Sequence, residues 1–270
     1  MRIHVLMDNN APEGLVCEWG FAVLIEHAGK RILLDAGASP AFAQNARELG
    51  VPIDDVDCAV LSHAHFDHAD GMPAFFEANR NARLFVREGA AENCYDLKEG
   101  ENHYIGIARG MLSQYASRIE YVRGVYELFP GAWLVPHSTP GLQSEGARQN
   151  MLIMRDGTLE PDDFSHEQSL VLETPEGLVV FNSCSHGGAD AIITEITDSF
   201  PGKRVRALIG GLHLFLDEPD RVRALAQRVK ALDIELLLTG HCTGDAAFAI
   251  LREELGDVSQ QFQVGLSIEL

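Results

Sequence analysis

Apolar and polar positions along the early part of the chain fall into short runs. "RIHVLM" (2–7), "FAVLIEH" (21–27) and "RILLD" (31–35) are aliphatic-rich and of strand length, and Gly29-Lys30 predicts a hairpin turn between the last two. After Pro40 the spacing becomes helical through Leu49, with Gly50 as the stop. "CAVLS" (58–62) reads as a buried strand, "MPAFFEAN" (72–79) as a helix and "ARLFV" (82–86) as a strand. Residues 87–118 lose this regularity and read as an insertion that covers a site, with a helix near 109–118. Short strands resume over 119–135, and a long connection, "STPGLQSEGARQN" (138–150), leads into "MLIMRDG". "SLVLETPEGLVVF" (169–181) is a hairpin of two apolar runs joined by Pro175-Glu176-Gly177. The remainder alternates: helix 189–199, strand 205–210, helix 219–231, strand 235–239, helix 245–255, strand 261–264. β-rich halves, each followed by helices, predict an α+β protein: an αββα sandwich of two packed mixed sheets with helices on both outer faces. No linker composition interrupts the chain, so a single domain over residues 1–270 is expected.

Composition narrows the partners. Nearly half of the residues are apolar, enough for a sizeable core, and the formal charge of -19 at pH 7 repels a polyanion over most of the surface. Nucleic acid is therefore excluded as a main partner, while a small phosphorylated ligand at a local cationic site is not. The cysteines (Cys17, Cys58, Cys94, Cys184, Cys242) form no CxxC pair, which points to a reducing compartment. "MRIHVLMDNN" lacks the apolar core of a signal peptide, and no run approaches the roughly 20 apolar residues of a membrane span. A cytoplasmic protein acting on a small molecule, away from membranes, is expected, with a homo-oligomer left open.

The chemistry concentrates in "LSHAHFDHADG" (61–71), where His63, His65, Asp67 and His68 fall within six positions. In extended backbone, residues at i and i+2 share a face, so His63 and His65 converge on one ion. A turn after Phe66 would aim Asp67 and His68 at a second. Imidazole and carboxylate are the donors that borderline divalent metals take. Four donors do not fill two sites, and later strand ends supply candidates: His166, Cys184 and His186, His213, and His241. His4 and His27 lie in strand-like runs and read as structural. His103 sits in the irregular insertion, and His137, in "LVPHSTPG", has no supporting neighbours.

HxHxDH after a strand resembles the signature of the metallo-β-lactamase superfamily. "GFAVLIEHAGKRILLDAGAS" is similar to its opening hairpin ending in D-x-G. "HEQSLVLET", "LVVFNSCSHGG", "GGLHL" and "GHCTG" resemble one branch, which holds an archaeal pterin-dependent phosphate synthase and bacterial metal-dependent hydrolases. The resemblance implies that His63 and His65 hold one metal and Asp67 and His68 the other, with His241 as the last metal histidine. Where many members place a bridging Asp, this chain has Cys184, with His186 two residues on; either can be the donor, and His186 is the expected one. His166, with Glu167 beside it, stands near the place of a further histidine and ranks behind these. A histidine comparable to His213 donates a proton to the leaving group in some members, and a near-neutral pKa suits that task.

The resulting expectation is an enzyme with two divalent ions, zinc first and manganese or iron as alternatives. Asp67 would be both ligand and orienter of the nucleophile, and His213 the proton donor. The reaction is hydrolysis of a small phosphorylated or ester-type substrate by metal-activated water. The branch implies an alternative, transfer of a dihydropterin diphosphate to an aminobenzene ribose phosphate. Substrate selection is expected in the insertion, from Tyr95, Tyr104, Tyr115 and Arg109. A non-catalytic or redox metal module is the alternative of another class.

Overall fold

A computed structural model of the chain describes residues 1–137 and 139–270. Ser138, the first residue of the long connection, lies outside the described residues. The chain divides into two compact units, each assembled from separated segments: residues 1–123, 140–167 and 263–270 in the first, and residues 124–139 and 168–262 in the second.

The first unit is built on a seven-stranded sheet in the order Ser267–Glu269, Arg2–Met7, Ala22–His27, Lys30–Leu34, Cys58–Val60, Arg83–Arg87, Ile119–Val122. The early strands pair antiparallel, and the Lys30–Leu34, Cys58–Val60, Arg83–Arg87 and Ile119–Val122 strands run parallel. The hairpin turn falls one residue earlier than the sequence predicts. Ala28 (φ 51°) and Gly29 (φ 76°) take the two left-handed central positions, and Lys30 already pairs with His27. Helices Ala41–Glu48 and Met72–Ala78 bury Phe42, Met72 and Phe75 with Leu24, Leu33, Ala59 and Leu84 from the sheet. This packing holds the end of the Cys58–Val60 strand, and hence the histidine cluster, in a fixed place.

The insertion is more regular than its sequence suggests. Cys94–Lys98 and Glu101–Tyr104 form a hairpin, and the first of these strands pairs with Met151–Arg155, which pairs with Thr158–Pro161. The result is a separate four-stranded antiparallel sheet. The expected helix at 109–118 is only Met111–Gln114 followed by a 3-10 turn, because Gly110 enters it in the left-handed region and Tyr115 leaves helical geometry. The connection after residue 138 contains a helix, Leu142–Arg148, whose Leu142 packs with Met151 and Phe164.

The second unit holds a seven-stranded sheet in the order Ser259–Gln261, Leu236–Thr239, Val205–Ile209, Gly177–Phe181, Gln168–Thr174, Ala132–Pro136, Tyr126–Phe129. Its first four strands are parallel and the rest antiparallel. Helices Ala189–Ser199, Pro219–Ala231 and Asp245–Leu255 keep their expected bounds and bury Ile192, Ile196, Val222, Leu225, Val229 and Leu251 against Val180, Leu208 and Leu237. Because the strands Gly177–Phe181, Val205–Ile209 and Leu236–Thr239 are parallel, the residues that follow each emerge at one edge of the sheet. No helix among the described residues is long and apolar enough to cross a membrane.

Gly71 ties the box helix to the first hairpin. A Cβ added there would lie 1.9 Å from the Ala36 carbonyl oxygen and 2.7 Å from that of Ser39. Backbone atoms cannot swing aside as a side chain can, so Gly71→Ala should destabilise the fold by on the order of 3 kcal/mol. Urea denaturation of the purified variant beside the parent protein measures this.

Candidate functional site

The cluster in the first unit begins where Cys58–Val60 ends. After Ser62 the chain bends at His63 and Ala64, His65 (φ −95°, ψ 149°) is extended, and the short helix Phe66–Ala69 carries Asp67 and His68. The side chains of His63, His65, Asp67 and His68 are all buried. The ring centroids of His63 lie 4.5 Å from His65 and 4.1 Å from His68, and Asp67 Oδ2 lies 3.7 Å from His68 Nε2.

Asp35, fully buried, organises this cluster. Its Oδ1 accepts the Ser62 backbone N–H at 2.7 Å. Its Oδ2 accepts the Ser62 hydroxyl at 2.7 Å and lies 2.7 Å from His68 Nδ1. A carboxylate only accepts, so His68 carries its proton on Nδ1 and keeps the Nε2 lone pair. Ser62 has one O–H, already given to Asp35, so the 2.8 Å contact between Ser62 Oγ and His63 Nδ1 makes that nitrogen the donor. His63 therefore also presents an Nε2 lone pair. Carboxylate-to-histidine contacts of this kind fix tautomer and ring orientation in metal sites. The sequence contains this signal as the D-x-G that ends the first hairpin, but nothing local links it to His68.

A second buried pair braces the cluster from the other side. His166 Nδ1 accepts the Ala64 N–H at 3.2 Å, between the two leading histidines, and Nε2 lies 3.0 Å from Asp162 Oδ2. Burial pushes the Asp162 carboxyl up, but His166 and the Phe164 N–H outweigh it and hold the group below its ordinary value. With both ring nitrogens engaged, His166 is placed as a brace for the backbone of the box. Its ring centroid is 5.4 Å from that of His65, and Cys94 Sγ is 3.6 Å from its Nε2. The insertion is strapped to the same segment: Phe66 N–H bonds to Ile105 O at 2.9 Å and Ile107 N–H to Ala64 O at 3.1 Å.

In the second unit the other candidates gather at the edge where the parallel strands end. Donor atoms of Cys184, His186 and His213 lie within 4.8 Å of one another, as do those of Cys184, His241 and Cys242. The His186 and His213 rings are 4.5 Å apart. His213 Nδ1 is buried with no hydrogen-bond partner among the described residues. Ser185 (φ 52°), His213 (φ 49°) and His241 (φ 49°) all adopt the left-handed region, which costs a non-glycine residue free energy and recurs at functional sites. Gly210 makes the close approach feasible, since a Cβ there would lie 1.9 Å from the Asn182 carbonyl oxygen. Cys242, which the sequence marks only as a reduced thiol beside His241, joins this group of potential donors. Burial pushes its thiol up, yet contact with Cys184 and the nearby His241 and His213 hold it well below the ordinary thiol value.

The remaining histidines fall elsewhere. His137 Nδ1 lies 3.0 Å from Glu195 Oε2, a half-buried pair, and His103 is on the exposed strand of the insertion. The donors of both sets are imidazoles, a carboxylate and thiols, all buried except the half-buried His213, with lone pairs preset on His63 and His68. That chemistry fits a divalent transition metal.

Burial drives the His65 pKa down to about 3, so its ring stays neutral. The unfolded chain takes up a proton near 6.5 that the folded, metal-free protein refuses. Stability from this group is therefore complete above about pH 6.5 and is lost as pH falls toward 3, by on the order of 1 kcal/mol per unit. Urea denaturation of metal-free protein at pH 7 and 5 should show this loss, and His65→Gln should show less of it.

Over 261 residues, covering 92% of this chain and 88% of the relative, the chain is 25% identical to the 7,8-dihydropterin-6-methyl-4-(beta-D-ribofuranosyl)-aminobenzene-5'-phosphate synthase of Methanocaldococcus jannaschii. The solved structure of Tm1679, a metal-dependent hydrolase of the beta-lactamase superfamily, superposes with a TM-score of 0.85 at 29% identity, covering 100% of this chain and 99% of that one. Zn(2+)-bound PqqB from Methylobacterium extorquens shares the fold at 13% identity (TM-score 0.61, all of both chains covered). Residues 20–241 match the model of the metallo-beta-lactamase superfamily, and the chain belongs to that superfamily and has its fold.

Proposed function

We propose that the protein is a metal-dependent hydrolase of a small phosphorylated or ester-type substrate, working with two divalent ions, zinc foremost. The observation that carries this reading is the Asp35–Ser62–His63 and Asp35–His68 network, which presets two imidazole lone pairs in the HAHFDH box. Donors come from His63, His65, Asp67 and His68 and from His186 and His241. When bound, such ions supply an activated water and a Lewis acid for a phosphoryl or carbonyl oxygen. Asp67 orients the attacking water, and His213 donates a proton to the leaving group. Residues 1–270 act as one catalytic domain in this reading, within a reducing cytoplasm.

Selection falls to the insertion. Arg109 donates to Tyr95 Oη at 2.8 Å, and its guanidinium carbon stands 4.1 Å from the centre of the Tyr104 ring. A cation held by two aromatic side chains on a segment bonded to the box suits an anionic substrate group. The transferase alternative, joining a dihydropterin diphosphate to an aminobenzene ribose phosphate, draws support from the 25% identity over 92% of the chain to the archaeal synthase. It uses the same donors, so a pterin diphosphate assayed with and without the aminobenzene acceptor separates the two reactions.

Metal analysis of protein reconstituted with zinc, manganese or iron should return about two ions per chain, and none at all would end the proposal. Asp35→Asn should keep the fold while weakening zinc binding by about 10–100-fold in a chelator competition.

His213→Ala should reduce turnover of nitrophenyl phosphodiesters or esters by roughly 10²–10⁴-fold with metal content intact. The loss should shrink for leaving groups that need no proton. A variant missing one metal would make His213 a ligand, and full activity would make it structural.

A further inference from the structure

We propose that Cys184 and Cys242 form an oxidisable dithiol site, which a peroxide converts to an intrachain disulfide at the ligand-bearing edge of the second sheet. The argument starts from distance. The two Sγ atoms lie 3.4 Å apart, and both side chains are buried, with 3% and 1% exposure. A disulfide needs about 2.05 Å, so the sulfurs have to close by only about 1.4 Å. Neither residue is locked inside a strand. Cys184 sits in the loop between the Gly177–Phe181 strand and the Ala189–Ser199 helix, and Cys242 in the 3-10 turn His241–Thr243. Each adjoins a residue already in the left-handed region, Ser185 and His241.

The fold also makes room for this pair. A Cβ on Gly211 would stand 2.4 Å from Cys242 Sγ, so the bare glycine is what admits the thiol. The His213 backbone N–H donates to the same sulfur at 3.3 Å, which fixes the sulfur in this place. The other cysteines lack such a partner thiol. Cys17 is exposed, Cys94 Sγ contacts His166, and Cys58 lies within the Cys58–Val60 strand of the other sheet.

The chemistry balances with hydrogen peroxide as oxidant. The Cys242 sulfur attacks one peroxide oxygen, the O–O bond breaks, and water leaves a sulfenic acid behind. The Cys184 sulfur then attacks the Cys242 sulfur, the S–S bond forms, the S–O bond breaks, and a second water departs. Two electrons pass from the dithiol to peroxide. The closure draws on the loops that carry His186 and His241, so the bridged protein should bind metal less well than the reduced protein.

The test uses the full chain, both metal-free and loaded with zinc, treated with graded hydrogen peroxide. The protein is then unfolded without reductant, alkylated and mapped by mass spectrometry. The expected result is a chain lighter by two hydrogens, a peptide linked through Cys184 and Cys242, reversal by dithiothreitol, and no link in Cys184→Ser or Cys242→Ser. The map of the parent protein decides the matter even where a variant does not fold. A sulfinic acid at either position without a bridge overturns the proposal, as does a bridge to another cysteine or a pair that stays reduced. Zinc binding, measured alongside, keeps the two readings apart. Bridge formation in a chain that never binds zinc removes the metal reading alone, and zinc binding without a bridge removes this one alone.

Discussion

The buried Asp35 carboxylate is the interaction on which the candidate site in the first unit depends. A charge placed fully inside a protein is costly unless every lone pair that matters is used. Here the Ser62 amide, the Ser62 hydroxyl and the His68 ring meet it at 2.7 Å each. The sheet supplies the geometry: Lys30–Leu34 runs parallel beside Cys58–Val60, so the residues that follow each strand leave at the same end. Asp35 turns out of the sheet at φ 59°, a strained conformation for a non-glycine residue, and this turn brings its side chain to Ser62 and His68. One carboxylate thus fixes two tautomers and the direction of two lone pairs.

The second unit solves the same problem differently. Its donors stand at the ends of three parallel strands, and the backbone carries the strain: Ser185, His213 and His241 are left-handed, and Gly210 and Gly211 let adjacent chain segments approach within distances that a Cβ forbids. Neighbouring polar side chains steady the arrangement, with Thr243 Oγ1 accepting the Leu212 N–H at 3.0 Å and Asn182 Oδ1 accepting the Ser185 N–H at 2.7 Å. Side-chain polarity organises the first set, and backbone strain organises the second.

What was legible in the sequence follows from how local each determinant is. The helices Ala189–Ser199, Pro219–Ala231 and Asp245–Leu255 were readable to the residue because periodic apolar positions and flanking Gly or Pro lie within each segment. The HAHFDH box was legible for the same reason. Asp35 was visible only as part of a hairpin ending, since its partners are 27 and 33 positions away. The Cys94–Lys98 strand escaped notice because its partner, Met151–Arg155, is remote in sequence, and a strand that depends on a distant partner leaves little local signal. Cys242 was legible only as a reduced thiol beside His241, because its contact with Cys184, 58 positions away, leaves no local signal.

The box and the insertion are tied through backbone alone at two points. Phe66 N–H to Ile105 O and Ile107 N–H to Ala64 O are backbone bonds, indifferent to the side chains at those positions. The segment they hold leads directly to Arg109, whose setting is defined by Tyr95 and Tyr104 from the insertion's own hairpin. Exposed side chains of the insertion such as Arg109 can therefore differ without breaking the bonds that hold the box, whereas Cys94 touches His166, the brace of that segment. In the proposed function, this division leaves the metal chemistry to the box and the choice of substrate to exposed residues of the insertion such as Arg109.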